Sequence, residues 1–475
     1  MQRRRFVKSL IGFTGGLIVY SKLPVKFLSI LGRKTIKGKV VSSGRGLKNV
    51  IVSDGYNVIT TDAEGKFEFL VHQDASSIFV STPSGYAFKT ENSIARQYYK
   101  LKNLNFKNQL SFELTKLDKD DTQHQFIIWA DPQVKNNNDV EKMMNQSVPD
   151  TKKLVDSLGA GSLVHGITVG DIVWDEHKLF ADYDRAVEKI GIPFFQCLGN
   201  HDMDLNKGDD ESSDDTFQDL YGPTYYSFNR GKVHYVVMDN VRYLGKDKDY
   251  DGYFVQHQLD WLKKDLSFVS KDKLIILCVH IPVHTGTKNR EMLYPLLEGY
   301  KVHIMSGHTH YNKNTIRNDI FEHNHGTVCG AWWTGPICAD GTPNGYGVYK
   351  VNGTDLQWFY QSTGEKAGHQ VKIFENNLNT AHKQIIANIW NHDPEWQTEF
   401  FVDGVSKGAL EQFEGMDPLA YSTMLGPDLP KQRGFSEPKL TDHLFKAIVP
   451  VTAKAITIKA KDRFGKIYTA THNIA

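Results

Sequence analysis

The sequence predicts an α/β core carried between two all-β sandwich domains. Three observations predict it. Five runs of four to six residues rich in Val, Ile, Leu and Phe lie within 122–362, and each runs directly into a polar cluster. Stretches with helical spacing, 150–158 and 256–266, fall between them and read as crossovers packed on a sheet. Alternating segments broken by Gly and Asp turns fill 34–117, and further apolar segments occupy 366–475.

Residues 1–33 read as an export signal or N-terminal anchor. Arg3-Arg4-Arg5-Phe6-Val7-Lys8, followed by an apolar stretch from Leu10 to Tyr20, resembles the twin-arginine export pattern. Thr14-Gly15-Gly16 interrupts that stretch, and it falls short of the roughly 20 residues a membrane span needs. No small-x-small cleavage site is visible around 21–29, which leaves an uncleaved anchor open. The expectation is an exported protein, periplasmic or envelope-associated, with peripheral or N-terminal membrane attachment.

In 34–117, Ile36 to Val41 alternates, Asn49 to Ser53 and Val58 to Thr61 follow, and Lys66 to Leu70 alternates after the turn Asp62-Ala-Glu-Gly65. Short strands at this spacing suggest a separate sandwich. It resembles transthyretin-like or carboxypeptidase-regulatory-like modules, which implies a folding and spacing role. In 366–475, Val371 to Phe374, Phe400 to Val402 and Ala455 to Lys459 suggest a second one.

The chemistry lies between them. Phe126 to Ala130 leads into Asp131-Pro132-Gln133, Gly166 to Val169 into Gly170-Asp171, and Pro193 to Leu198 into Gly199-Asn200-His201-Asp202. Leu274 to Val279 leads into His280, and Val302 to Ser306 into Gly307-His308-Thr309-His310. Continuous apolar runs of this length are buried strands, and ligands collect at the carboxyl ends of such strands. A lone His or Asp there is more often a cap or a solvated loop residue. The ordered set Asp131, Gln133, Asp171, Asn200, His280, His308 and His310 points instead to metal. One shared carboxylate can bridge two ions about 3.5–4 Å apart. Two divalent ions against two carboxylates leave net positive charge, which attracts an anion. A bridging hydroxide then exists at neutral pH, because coordination lowers the pKa of water from about 15.7 toward about 7. Such a site suits hydrolysis of a phosphate ester.

In this order the clusters resemble the calcineurin-like metallophosphoesterases, over roughly 122–350. The resemblance implies a four-layer α/β/β/α core. It puts one metal on Asp131, Gln133, Asp171 and His310, and the other on Asp171, Asn200, His280 and His308. His201 takes the place of the catalytic histidine that touches phosphate and helps the leaving group depart. Either Asp175 or Asp202 would orient it. Position 133 departs from the family's common His. An amide oxygen is a harder donor, so the first site tilts toward Mn or Fe over Zn. Some branches carry this Asp-x-Gln form and remain active.

After the last histidines comes Gly330-Ala-Trp-Trp-Thr-Gly335, then Asp340 to Tyr346. On an extended segment adjacent tryptophans point to opposite faces, one to core and one to the cleft. Trp332, Trp333, Asn344 and Tyr346 are candidates for a wall holding the organic part of a substrate. A phosphodiester or pyrophosphate-linked substrate, small-molecule or envelope-derived, is therefore expected over small monoesters. The acidic run from Met203 to Asp215 reads first as a solvated loop, with a lid or second cation site as alternatives.

A net charge of +1 over 475 residues, without a basic block, excludes nucleic acid as an expected partner. Cys197 and Cys278 fall inside strand runs, whereas Cys329 and Cys338 bracket a loop and could pair. Two other functions compete with phosphoester hydrolysis. One is an envelope- or polysaccharide-binding protein with an inactive core, against which the complete ligand set speaks. The other is a non-phosphate metal hydrolase, in which His-x-His opens the catalytic region rather than closing it.

Overall fold

The computed structural model describes residues 34–474 apart from 107–108, 427 and 429–435. The expected export segment, 1–33, lies outside the described residues. All five apolar runs are strands, and they divide between two sheets. In the first, the parallel strands Gln123–Trp129, Val164–Val169 and Phe194–Cys197 lie side by side, with Gly345–Asn352 and Asp355–Ser362 antiparallel at one edge. In the second, Val233–Val237, Leu274–Cys278 and Lys301–Ser306 are parallel. Tyr226–Arg230 closes one edge in antiparallel register with Val233–Val237.

The sheets pack face to face because each strand alternates between two apolar environments. Phe126 and Ile128 join Ile167, Phe195, Tyr235 and Ile276 in the space between sheets. Ile127, Trp129 and Phe194 point the other way, onto helices. Phe195 stacks on Phe228 across the gap at 3.8 Å. The helix Phe180–Ile190 covers the first sheet, burying Phe180, Tyr183, Ala186, Val187 and Ile190, one stripe of a 3.6-residue period. It ends at Gly191, whose φ of 81° supplies the left-handed cap. Gln256–Leu266 covers the second sheet through Leu259, Trp261 and Leu262. The result is the four-layer α/β/β/α core, with helices also at Val148–Ser157.

The N-terminal region forms two small four-stranded sheets around Val40, Val52, Phe67, Ile78 and Phe112. It packs directly on the catalytic core. Its hairpin Thr90–Glu91/Ile94–Ala95 adds to the edge of the first catalytic sheet, with Ile94 paired to Phe194. Ile51, Phe79 and Phe88 belong to the catalytic core itself, and Trp261 donates to the Ser53 hydroxyl at 3.2 Å.

The C-terminal region has two four-stranded sheets enclosing their own core of Ile385, Ile389, Val449, Ile456 and Ile458. It meets the catalytic region through a buried polar junction. His443 bridges Asp340 at 2.9 Å and Asn388 at 2.7 Å, and Asn388 donates to Asp417 at 2.9 Å. All four cysteines are free and buried, so Cys329 and Cys338, which could have paired, do not. No helix among the described residues is long and apolar enough to cross a membrane.

Candidate metal centre

Each cluster sits where its strand stops, and the backbone there is bent sharply. Asp131, Gln133, Asp171, His308 and His310 all have φ between 40° and 72°. Left-handed backbone is costly for residues with side chains and gathers at functional sites. The neighbouring glycines allow close approach. A Cβ on Gly199 would lie 2.0 Å from the Asp171 nitrogen, and one on Gly170 would lie 2.5 Å from the His280 ring. The Gly-Asp and Gly-Asn-His pairs of the sequence are therefore steric requirements.

These bends bring the seven predicted ligands into one buried cluster. Asp131, Gln133, Asp171, His280 and His310 are at most 2% exposed. His280 donates from Nδ1 to the Val169 carbonyl at 2.9 Å, which leaves Nε2 free to ligate. That Nε2 lies 3.0 Å from Asn200 Oδ1, 3.1 Å from His308 Nδ1 and 3.3 Å from Asp171 Oδ1. Four atoms that all offer lone pairs thus face one another. Asp171, His280 and His308 are the one such His/Cys/Asp/Glu group among the described residues with ligand atoms mutually within 4.8 Å.

On the other side of Asp171, the Gln133 amide donates to Asp171 Oδ2 at 3.2 Å. Its Oε1 is buried with no hydrogen-bond partner, an arrangement a cation would satisfy. His310 donates from Nδ1 to the Gly330 carbonyl at 2.7 Å, and its Nε2 stands 3.7 Å from Asp131 Oδ1. The donor set fits two divalent ions sharing Asp171.

The electrostatics agree. Burial alone would lower the His280 imidazole, but Asp171 outweighs it and raises it to about 9, so the cluster draws positive charge. Burial lowers His308 to about 3 and His310 to about 4, keeping both as neutral donors. Burial raises the Asp131 carboxyl above its ordinary range.

His201 stands beside this cluster. Its backbone N–H donates to Asp171 Oδ1, and its Nδ1 lies 2.8 Å from Asp175 Oδ1. Lys248 holds the other Asp175 oxygen. Asp202, the alternative partner, is turned away. Its carboxylate accepts the backbone N–H groups of Ile172, Val173 and Gly199 at 2.8–3.0 Å, fixing the two ligand loops to each other. The expected catalytic role for Asp202 is thereby corrected to a structural one.

The candidate substrate wall is only partly at the site. Trp332 is half-buried and stacks on His310, with centroids 4.3 Å apart. Trp333 is 4% exposed and donates to the Pro132 carbonyl. Tyr346 is fully buried and donates to Asp150, and Asn344 is buried behind Gly330. These three belong to the interior, not to a substrate surface. The tryptophans separate through left-handed turns, with φ of 51° and 58°, rather than by strand alternation.

Sequence reasoning missed Trp174, whose ring lies 5.3 Å from His201 and 6.0 Å from Trp332. It also missed Lys135, 4.3 Å above the Trp174 ring, and Tyr250, edge-on to His308 at 5.9 Å. A signal for Trp174 was present in its position between Asp171 and Asp175 on one ligand loop.

Residues 124–312 match the model of calcineurin-like phosphoesterase. Residues 34–117 match the model of the N terminal of calcineurin-like phosphoesterase, and 322–468 that of its C terminal. Among solved structures the chain is similar to a dimetal phosphatase from Danio rerio, at 14% identity over 50% of this chain and 97% of that one, with a TM-score of 0.36. It is also similar to a purple acid phosphatase from yellow lupin seeds, at 12% identity over 75% and 71% of the two chains, with a TM-score of 0.33. A third likeness is to PhoD, at 8% identity over 93% and 85%, with a TM-score of 0.35. No curated protein matches. Three consecutive family matches spanning most of the chain identify it as a calcineurin-like phosphoesterase with N- and C-terminal extension domains, a metal-dependent phosphoester hydrolase of a family that uses a dimetal centre.

Proposed function

We propose that this enzyme hydrolyses phosphodiesters or pyrophosphate-linked compounds bearing an organic group, in preference to small monoesters. The observation that carries the reading is the aromatic pair Trp174 and Trp332, one ring beside His201 and the other stacked on His310. Rings so placed flank the phosphate position and offer a face to a base, sugar or lipid head group. Stacking of a base on such a face is worth about 1–3 kcal/mol. A compact monoester has nothing to place there.

Asp131, Gln133, Asp171 and His310 would hold one ion, and Asp171, Asn200, His280 and His308 the other. When bound, the ions supply Lewis acidity and a nucleophile generated from water at neutral pH. The chain's own residues do the rest. Asp175 fixes the His201 ring through Nδ1, which leaves Nε2 to hand a proton to the departing oxygen. Trp174 and Trp332 orient the organic group. The Asp-x-Gln form, with the hard Gln133 oxygen in a buried position, favours Mn or Fe over Zn. Export to the periplasm or envelope rests on the twin-arginine-like start, and domain limits of 34–117, 122–362 and 366–475 rest on the sequence pattern.

The test is kcat/KM for bis(4-nitrophenyl) phosphate against 4-nitrophenyl phosphate with the Mn-loaded enzyme. The diester should win in the wild type, and Trp332→Ala and Trp174→Ala should each lower its kcat/KM by about tenfold while sparing the monoester. A wild-type monoester preference, or equal losses on both substrates, would overturn the reading.

A further inference from the structure

A cavity of about 320 Å³ lies where the N-terminal region meets the catalytic core, and none of the metal ligands lines it. Asp54 and Asp74 line it from one side, and Asp210, Glu211, Asp214 and Asp239 from the other. No Lys or Arg is among its lining residues. Among the described residues no ion pair engages Asp210, Glu211, Asp214 or Asp239. Burial pushes the Asp210 carboxyl up to about 6, with Glu211 adding to it, and Asp214 up to about 7, with Asp210 adding to it. Burial also raises Asp239 well above its ordinary range. These carboxyls are thus crowded and buried with no Lys or Arg in the cavity wall, a state that favours their neutral forms and that a bound cation would relieve.

An independent observation points to a ligand. Gln258 lines the same cavity, is 5% exposed, and its Oε1 is a buried acceptor with no hydrogen-bond partner. Aromatic rings complete the wall. Tyr56 is stacked between His72 at 3.9 Å and His257 at 5.0 Å, so its faces are taken, and Tyr225, 5.9 Å from His257, is the ring left on the cavity wall. Burial holds the His257 imidazole below its ordinary value, so it adds no positive charge at neutral pH.

Two features decide between a bare ion and an organic cation. Ions such as Ca²⁺ need oxygens gathered at 2.3–2.6 Å, roughly. No three of these carboxylates bring ligand atoms within 4.8 Å of one another. The cavity volume is also that of a small organic molecule, and carboxylates beside aromatic faces are the recognition chemistry of substituted ammonium groups. We infer that this junction is a binding site for a small organic ammonium ligand, held by Asp210, Asp214 and Asp239, with Gln258 accepting a hydrogen bond and Tyr225 offering a ring face. Such a ligand would join the N-terminal region to the acidic segment 203–215 that follows His201. That segment is only partly the solvated loop the sequence suggests, since Met203, Ser213 and Asp214 are buried.

The test is calorimetric titration of the full chain with choline chloride and with dimethylbutanol, its uncharged carbon isostere. Choline should bind at least about tenfold more tightly than the isostere. Asp214→Asn and Gln258→Leu should each weaken choline binding by at least about threefold and leave phosphoesterase kcat unchanged. Gln258→Leu removes an unpartnered buried acceptor, so it should fold at least as well as the wild type and remains decisive if Asp214→Asn does not. Equal binding of choline and isostere, no binding of either, or choline affinity unmoved by Gln258→Leu would each overturn the inference. So would calcium chloride raising Tm, in a manner lost in Asp214→Asn, where choline does not bind.

Discussion

Asp175→Asn separates the orienting role of this carboxylate from every structural one. The backbone there is left-handed, with φ of 60°, a conformation Asn tolerates well. Asn also keeps an oxygen at the Oδ1 position facing His201 Nδ1, so the ring can still be held in place. What disappears is the charge. A hydrogen bond to a charged group is worth about 1.5–3 kcal/mol net, against about 0.5–1.5 for a neutral one. The side chain is 22% exposed and its second oxygen is already held by Lys248, so the lower half of that difference applies. A loss of roughly 1 kcal/mol corresponds to about fivefold in kcat. The assay is kcat and KM on bis(4-nitrophenyl) phosphate, with metal content measured on the same sample. KM and metal stoichiometry should hold while kcat falls. Normal turnover in Asp175→Asn, together with a selective loss of kcat in an Asp202→Asn variant of unchanged Tm, would refute the assignment.

Asp202→Ala should instead act on stability, because it leaves three backbone N–H groups without their acceptor; a loss of about 3 kcal/mol or more in urea unfolding is expected. Gln133→His should raise Zn over Mn preference in competition experiments without abolishing binding, since imidazole is the softer donor. His443→Ala removes hydrogen bonds to Asp340 and Asn388 and should lower Tm by several degrees, about 2 kcal/mol of unfolding free energy. Burial lowers His303 to about 3 and His325 to about 4 and pushes His323 well below its ordinary value. The unfolded chain then binds more protons below about pH 6.5, so stability is full above that value and falls as pH drops toward 4; His323→Phe should flatten the fall in Tm over that window.

The core strands were legible because a strand buried on both faces must be continuously apolar, as Ile275 to Val279 is. The ligands were legible because each follows such a run without a spacer. Their division between two sheets was not, since periodicity describes a strand and not its neighbour. Asp202 illustrates the limit at the site. A carboxylate next to His201 in sequence points away from it, because three N–H groups in two loops compete for the same oxygens. Trp333 and Tyr346 show another limit. Expecting alternation presumed an extended backbone, and left-handed turns at Trp332 and Trp333 rearranged which ring meets solvent.

The hairpin that carries Ile94 has a consequence for biogenesis. Its partner, Phe194, lies a hundred residues further along the chain. As the polypeptide lengthens, the first region can gather Val40, Val52 and Phe112 into its own small core. Thr90–Glu91 and Ile94–Ala95 must wait, with Ile51, Phe79 and Phe88 also lacking their partners across the gap. Such an unpaired edge invites pairing with a neighbouring chain. Synthesis therefore passes through a stage in which a half-made protein is adhesive, and that stage ends when residues 194–228 emerge. Deleting 34–117 would leave the mirror-image fault, an uncovered Phe194–Cys197 edge in the finished enzyme, so the first region serves the catalytic sheet as its permanent selvedge.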